Sequence, residues 1–178
     1  NLPVLVQAYQ AIQRDNPAAR LLLVGDGPLR AELAAQVPHA LFAGQRKGDD
    51  LAAHYASADL FLFPSLTETF GNVTLEAMAS GVCPVAYDYA AAAEVIRDLG
   101  NGAAVRCSDE DGFIERAIQL GLADDLRAGL ARAARRTAET IDWEHVNDSF
   151  AEALIRAWRS GTASPPAVAP LRTREAES

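Results

Sequence analysis

The stretch Leu60-Phe61-Leu62-Phe63-Pro64-Ser65-Leu66-Thr67-Glu68-Thr69-Phe70-Gly71-Asn72-Val73-Thr74-Leu75-Glu76-Ala77-Met78-Ala79-Ser80-Gly81 decides the fold. Leu60–Phe63 is a short apolar run and predicts a buried strand. Pro64 ends it, because proline cannot donate a ladder hydrogen bond. A polar loop follows. A helix then opens near Gly71 or Asn72, with Val73, Ala77 and Ser80 on one face at spacings of four and three. Gly81 is placed to end that helix. The reading is strand, loop and helix, with Glu68 in the loop and Glu76 in the helix. A helix N-terminus offers unpaired backbone N–H groups and a partial positive charge, a ready site for a phosphate. Gly71 removes a side chain where an anion would approach closely.

The same alternation extends in both directions. Leu21–Val24 predicts a buried strand, and Gly25-Asp26-Gly27-Pro28 a tight turn into a helix over 29–37. The turn lacks the full dinucleotide fingerprint, since Arg30 stands where its third glycine would be. Ala40–Gly44 predicts another strand, followed by Gln45-Arg46-Lys47-Gly48 and a helix capped by Asp49 or Asp50. Beyond the central stretch, Cys83–Tyr87 predicts a strand. The loop Asp88–Glu94 is alanine-rich, and alanine disfavours positive φ, so a helical course is expected there. Asn101-Gly102 signals a turn and Ala103–Arg106 a short strand. Asp109 caps a helix whose Phe113, Ala117 and Leu120 share a face, and an Ala- and Arg-rich helix follows over 123–138. At the start, Asn1 caps a helix with Pro3 in its first turn and an apolar stripe of Leu5, Ala8, Tyr9 and Ile12. Near the end, Val146, Phe150, Leu154 and Trp158 recur every four residues, a core stripe.

Strands alternating with helices predict an α/β fold, a parallel sheet with helices on both faces. Such sheets bind ligands beyond the carboxyl ends of their strands, and Pro64–Glu76 lies at one such end. One domain is expected over 1–160, with a disordered, Pro- and Ala-rich tail over 161–178. A doubly wound sheet normally begins with a strand, and none precedes the first helix, so the domain is expected to lack its first strand.

The chain has 178 residues and a net charge of −8, with Lys47 its sole lysine. That balance argues against sequence-independent nucleic-acid binding, which needs a basic face. A phosphate-rich ligand would be held by local dipoles and a few arginines. No apolar run approaches the roughly 20 residues needed to span a bilayer. Cys83 and Cys107 read as buried thiols of a reduced, cytosolic protein. His39, His54 and His145 are scattered, without metal-ligand spacing.

Two glutamates separated by seven residues, with Phe70-Gly71 between them and Glu-Ala-Met-Ala-Ser-Gly closing the run, resemble the donor-site signature of retaining glycosyltransferases of family 4. The resemblance extends over the chain to about Trp158. It implies the GT-B architecture, two Rossmann-like domains flanking a cleft, with this chain as the C-terminal, nucleotide-sugar-binding half. It implies that Glu68 holds a hydroxyl of the transferred sugar, and that Thr69, Phe70, Gly71, Asn72 and Val73 meet sugar and phosphates. Glu76 takes the ribose diol, for which an acceptor-only carboxylate is suited. It also implies that the backbone after the strand, at Gly44 and Gln45, lies against the nucleotide base, with Arg46 adding a stacking or phosphate contact. The co-substrate would be a nucleoside-diphosphate sugar, with no metal and no cofactor. The missing partners would be an N-terminal domain, which carries the acceptor site, and a strand and loop bearing the family's basic phosphate residues. This version of the motif is similar to transferases acting on diacylglycerol or inositol lipids, which implies a lipid acceptor at the inner membrane face. Two other readings stay open: a non-catalytic nucleotide-sugar or scaffold module, and a different α/β nucleotide enzyme such as an epimerase.

Overall fold

The structure is a computed structural model that describes residues 1–68, 71–141, 151–152 and 154–157. The chain divides into two units, Asn1–Thr140 and Ile141–Ser178. The first unit alternates helix and strand: α1 (Leu2–Asp15), β1 (Leu22–Val24), α2 (Arg30–Gln36), β2 (Leu41–Gly44), α3 (Gly48–Ala56) and β3 (Leu60–Phe63). It continues through α4 (Asn72–Ala79), β4 (Cys83–Tyr87), α5 (Ala91–Val95), β5 (Ala103–Val105), α6 (Glu110–Leu122) and α7 (Asp124–Glu139). In the second unit, residues 151–152 and 154–157 are helical. Leu154, from the expected core stripe, is 55% exposed. The rest of that stripe and the tail lie outside the described residues.

All strand pairings are parallel, but they form two sheets, β1–β2 and β3–β4–β5. Every residue of β4 is buried, as befits a central parallel strand covered on both faces. Its odd-numbered residues, with Ala103 and Val105, pack against Val4 and Ala8 of α1 and Phe113, Ala117 and Leu120 of α6. On the opposite face Ala86 packs with Met78, Ala92, Val95 and Ala134, from α4, α5 and α7. The helix α1 also serves the smaller sheet, where Val6 and Tyr9 pack with Leu21 and Val37. Both sheets therefore hang on one helix.

This arrangement corrects several expectations. The strands β1 and β3 are not fully buried: β3 is half-buried throughout and Val24 is exposed. Among the described residues each pairs with one neighbour, so one edge has no described strand to cover it. The buried positions of α4 are Thr74, Ala77 and Met78, not Val73, Ala77 and Ser80. The helix is rotated so that Met78, fully buried, reaches the cluster under β4. Asn1 stands at the N-cap of α1, yet its amide donates to Glu110 Oε1 at 3.0 Å instead of capping. Helix α3 begins earlier than expected, at Gly48 after Lys47, and Asp49 and Asp50 occupy its first turn. Cys83 is a core thiol, and burial pushes it up to about 12 against the opposing charge of Arg127. Cys107 is instead exposed, in a turn. Asp109 caps α6 as expected, accepting from the Gly112 N–H at 3.0 Å.

Asn101 does more than mark a turn. It is buried, its Oδ1 accepts from the Arg97 N–H at 2.7 Å, and its amide donates to the Val95 carbonyl and to Thr137 Oγ1, both at 3.0 Å. It thus ties the α5–β5 connection to α7. Replacing Asn101 by Ala should cost about 2–4 kcal/mol, because buried backbone groups lose their partners. Urea unfolding checks this, and a loss below about 1 kcal/mol would mean that water replaces the bonds.

Candidate functional site

The candidate site forms where β3 ends and α4 begins. Pro64 is buried directly after the strand, and the chain then passes through Ser65–Glu68. Gly71 is the N-cap of α4, at φ +92° in the left-handed region that favours glycine. A Cβ there would lie 3.6 Å from Ala91 Cβ and 3.7 Å from Glu68 Oε2, ordinary contact distances. The backbone conformation, rather than lack of space, calls for glycine. At the other end, Ser80 closes the helix and Gly81 takes φ +76°. The Gly81 N–H donates to the Met78 carbonyl at 2.9 Å and the Val82 N–H to the Ala77 carbonyl at 3.0 Å. This paired closure turns the chain directly into β4.

The two glutamates stand on either side of the first turn of α4. Glu68 is half-buried, and Ser65 Oγ donates to its Oε1 at 2.7 Å. The Tyr89 hydroxyl donates to the Glu68 carbonyl at 3.2 Å, joining this loop to the one after β4. Between them lies a crevice lined by Phe63, Glu68, Gly71, Thr74 and Ala91, enclosing about 10 Å³. That is roughly the space one water needs. Glu76 is exposed, and the hydroxyl of Tyr55, on α3, donates to its Oε2 at 3.2 Å. Tyr55 meets Phe61 edge-on at 5.8 Å between ring centroids, and Phe61 stacks on Phe63 at 5.4 Å. Burial, and then the charge of Glu76, push the Tyr55 phenol well above its ordinary value, so it remains a donor.

Of the other expected site residues, Asn72 is exposed and Val73 half-buried in the first turn of α4. Thr69 and Phe70 lie outside the described residues. Gly44 takes φ +71°, and its carbonyl accepts from the Gly25 N–H at 2.8 Å, so the turns after β1 and β2 meet. Gln45 is exposed. Arg46 turns back on its own loop, donating to the Ala43 carbonyl at 2.9 Å and to Asp50 Oδ2 at 3.1 Å. Another arginine stands nearby: Arg30 lies over the Phe42 ring at 5.4 Å and within 4.0 Å of a Cβ built on Gly44. Sequence reasoning missed Ser65, Tyr55 and Tyr89. Only Ser65, three residues before Glu68, left a local signal.

The family model described as glycosyl transferases group 1 matches residues 1–122. The chain belongs to this family. It is 37% identical over 134 residues to the GDP-mannose-dependent alpha-mannosyltransferase of Mycolicibacterium smegmatis, covering 74% of this chain and 34% of that protein. It is 33% identical over 150 residues to the phosphatidyl-myo-inositol mannosyltransferase of the same species, covering 82% of this chain and 39% of that protein. The chain thus spans about a third of the length of the first of these curated relatives. Among solved structures, the C-terminal domain of the group 1 glycosyl transferase LpcC from Francisella tularensis matches with TM-score 0.68 and 23% identity, over 77% of this chain and 76% of that one. TarM from S. aureus matches with TM-score 0.73 and 18% identity, over 85% of this chain and 32% of that one. The fold is the Rossmann-like C-terminal domain of a GT-B glycosyltransferase.

One feature of this group 1 domain departs from the sequence expectation. The loop after β4 does become helical, at α5, but only beyond Ala90, which sits at φ +50° and ψ −134°. Alanine there carries the strain that a glycine would avoid, of order 1–3 kcal/mol for a non-glycine residue in a sparsely populated region. The strain is held by the neighbours, since Tyr89 is bonded to the Glu68 loop and Ala91 and Ala92 are buried. Ala90→Gly should therefore raise stability by about 1 kcal/mol, after allowing for the larger backbone entropy of glycine in the unfolded chain. Chemical denaturation measures this, and a destabilised variant would show that the turn is not strained.

Proposed function

We propose that this domain binds the donor of a retaining hexosyltransferase, which moves a hexose from a nucleoside-diphosphate sugar to an acceptor. The observation that carries the reading is the placement of two carboxylates about one helix N-terminus. Glu68 is held in a crevice before α4, and Glu76 stands one turn into it on the α3 side. Gly71 supplies no side-chain cap, which leaves the first turn of α4 to a ligand anion. In this reading Glu68 positions a hydroxyl of the transferred hexose and Glu76 accepts from the ribose diol. Gly71, Asn72 and Val73, with Thr69 and Phe70, meet the diphosphate and sugar, and Gly44, Gln45 and Arg46 lie near the base.

The bond between the anomeric carbon and the diphosphate breaks, and a bond to the acceptor oxygen forms on the same face. The acceptor proton leaves with the diphosphate. Charge developing on the leaving diphosphate is met by the α4 N–H groups, an electrostatic contribution that requires no metal ion or cofactor. Support for the donor class comes from the relatives, one of which is named for dependence on GDP-mannose. A relative named for phosphatidyl-myo-inositol supports a lipid acceptor, taken from the inner face of a membrane by a cytoplasmic enzyme. No helix among the described residues is long and apolar enough to cross a membrane. The acceptor site would lie on a further, N-terminal domain.

The two glutamates give the test. In the complete protein, Glu76→Ala should weaken both the free nucleoside diphosphate and the sugar donor, by about ten- to a hundredfold. Glu68→Ala should leave diphosphate binding nearly intact and lower turnover of the sugar donor. Titration calorimetry with GDP and UDP, alongside transfer assays, decides between the roles. Equal weakening of the diphosphate by both variants would show the assignment to be wrong.

A further inference from the structure

The side chain that orients Glu76 comes from a different helix, and nothing in the chemistry of a donor site assigns it a part. A glutamate on the exposed face of a helix has three rotatable bonds, and its carboxylate points in many directions unless something holds it. Here the Tyr55 hydroxyl donates to one oxygen, Oε2, at 3.2 Å. Tyrosine has only two side-chain torsions, and this ring is gripped at its edge by Phe61, which is itself stacked on Phe63 with 16° between the planes. Phe61 and Phe63 belong to β3, and Phe63 lines the crevice beside Glu68. The aromatic row therefore runs from the rigid strand to the Glu76 carboxylate. A site built on strands and helices is held more tightly than one built on loops alone.

The nature of the donor matters. An arginine in this place would engage both carboxylate oxygens in a fork and neutralise the charge. A phenol takes one lone pair of one oxygen. It leaves Oε1 and the remaining lone pair of Oε2 as acceptors, and two acceptors are what a vicinal diol needs.

Resting on the ribose reading of Glu76 given above, we propose that Tyr55 is a positioning residue that fixes the Glu76 carboxylate for a ribose diol. It thereby sets the preference of the site for ribonucleotide over dideoxynucleotide ligands. A hydrogen bond that merely joined α3 to α4 would affect all ligands alike when removed. A positioning bond affects only ligands that carry the diol.

The experiment compares wild type, Tyr55→Phe, Phe61→Leu and Glu76→Ala in the complete protein. Calorimetry measures GDP and UDP, each beside its 2′,3′-dideoxy form. Tyr55→Phe keeps the ring on Phe61 and removes only the hydroxyl. It should weaken the ribose form of the bound diphosphate by about three- to tenfold and leave the dideoxy form within about twofold. Phe61→Leu, which frees the ring but keeps the hydroxyl, should give the same selective loss at smaller size. Equal effects of Tyr55→Phe on both forms, or no effect on either, would overturn the positioning role. Glu76→Ala separates the role of Glu76 from that of Tyr55. If that variant still prefers the ribose over the dideoxy form as strongly as wild type does, the ribose assignment of Glu76 falls. If it loses that preference and Tyr55→Phe keeps it in full, only the proposal for Tyr55 falls. Failure of wild type to bind either diphosphate would overturn both.

Discussion

A parallel strand buried on both faces leaves the chain little freedom, and β4 is such a strand. Cys83–Tyr87 is buried at every position, so helices must cover it on both sides. With α1 and α6 on one face and α4 and α5 on the other, each crossover delivers its loop to the same carboxyl edge. Glu68, Gly71, Tyr89 and Ala90 therefore meet although they lie on two separate connections. The paired carbonyl bonds at Gly81 and Val82 set the exit of α4 into β4, while the left-handed Gly71 sets its entry. Together they fix the axis of α4, and with it the direction of its N–H groups.

The carboxylates at this edge follow a common pattern. Each accepts a bond from a neutral hydroxyl, Ser65 to Glu68 at 2.7 Å and Tyr55 to Glu76 at 3.2 Å. The arginines near the site are engaged elsewhere: Arg46 with Asp50 and its own backbone, Arg30 with Phe42 and, more loosely at 3.8 Å, with Asp26. A cation on either glutamate would add the attraction of opposite charges to the hydrogen bond. It would also occupy the acceptor oxygens and cancel the charge. Neutral donors orient a carboxylate and leave it free to bind hydroxyl groups.

The strand–loop–helix stretch was legible because its signals are local. Pro64, Gly71 and Gly81 each act on the backbone within one or two residues of their own position, and all three stand where the sequence reading put them. The strands and most helices were readable for the same reason, through runs and periods a few residues long. What was not legible depends on distance in sequence. Tyr55 is 21 residues from Glu76, Tyr89 is 21 residues from Glu68, and Thr137 is 36 residues from Asn101. The buried face of α4 was misread because Val73, Ala77 and Ser80 form as regular a stripe as Thr74, Ala77 and Met78. Only the contact of Met78 with Ala86 and its neighbours chooses between them. The division of the sheet was also hidden, since a run such as Leu21–Val24 looks the same with one neighbour or two.

The crevice beside Glu68 shows what the backbone there must do. At about 10 Å³ it holds roughly one water. One wall is α4 and β3, anchored in the core through Met78 and Phe63. The other is the turn at Tyr89–Ala90. It is tied across the crevice by one exposed hydrogen bond, worth roughly 0.5–1.5 kcal/mol. Ala90, at φ +50°, adds strain of about 1–3 kcal/mol to the same turn. Moving the first wall breaks core packing, where losses of about 2–5 kcal/mol accompany even a single large side chain. Of the two walls, the turn after β4 is therefore the less firmly held.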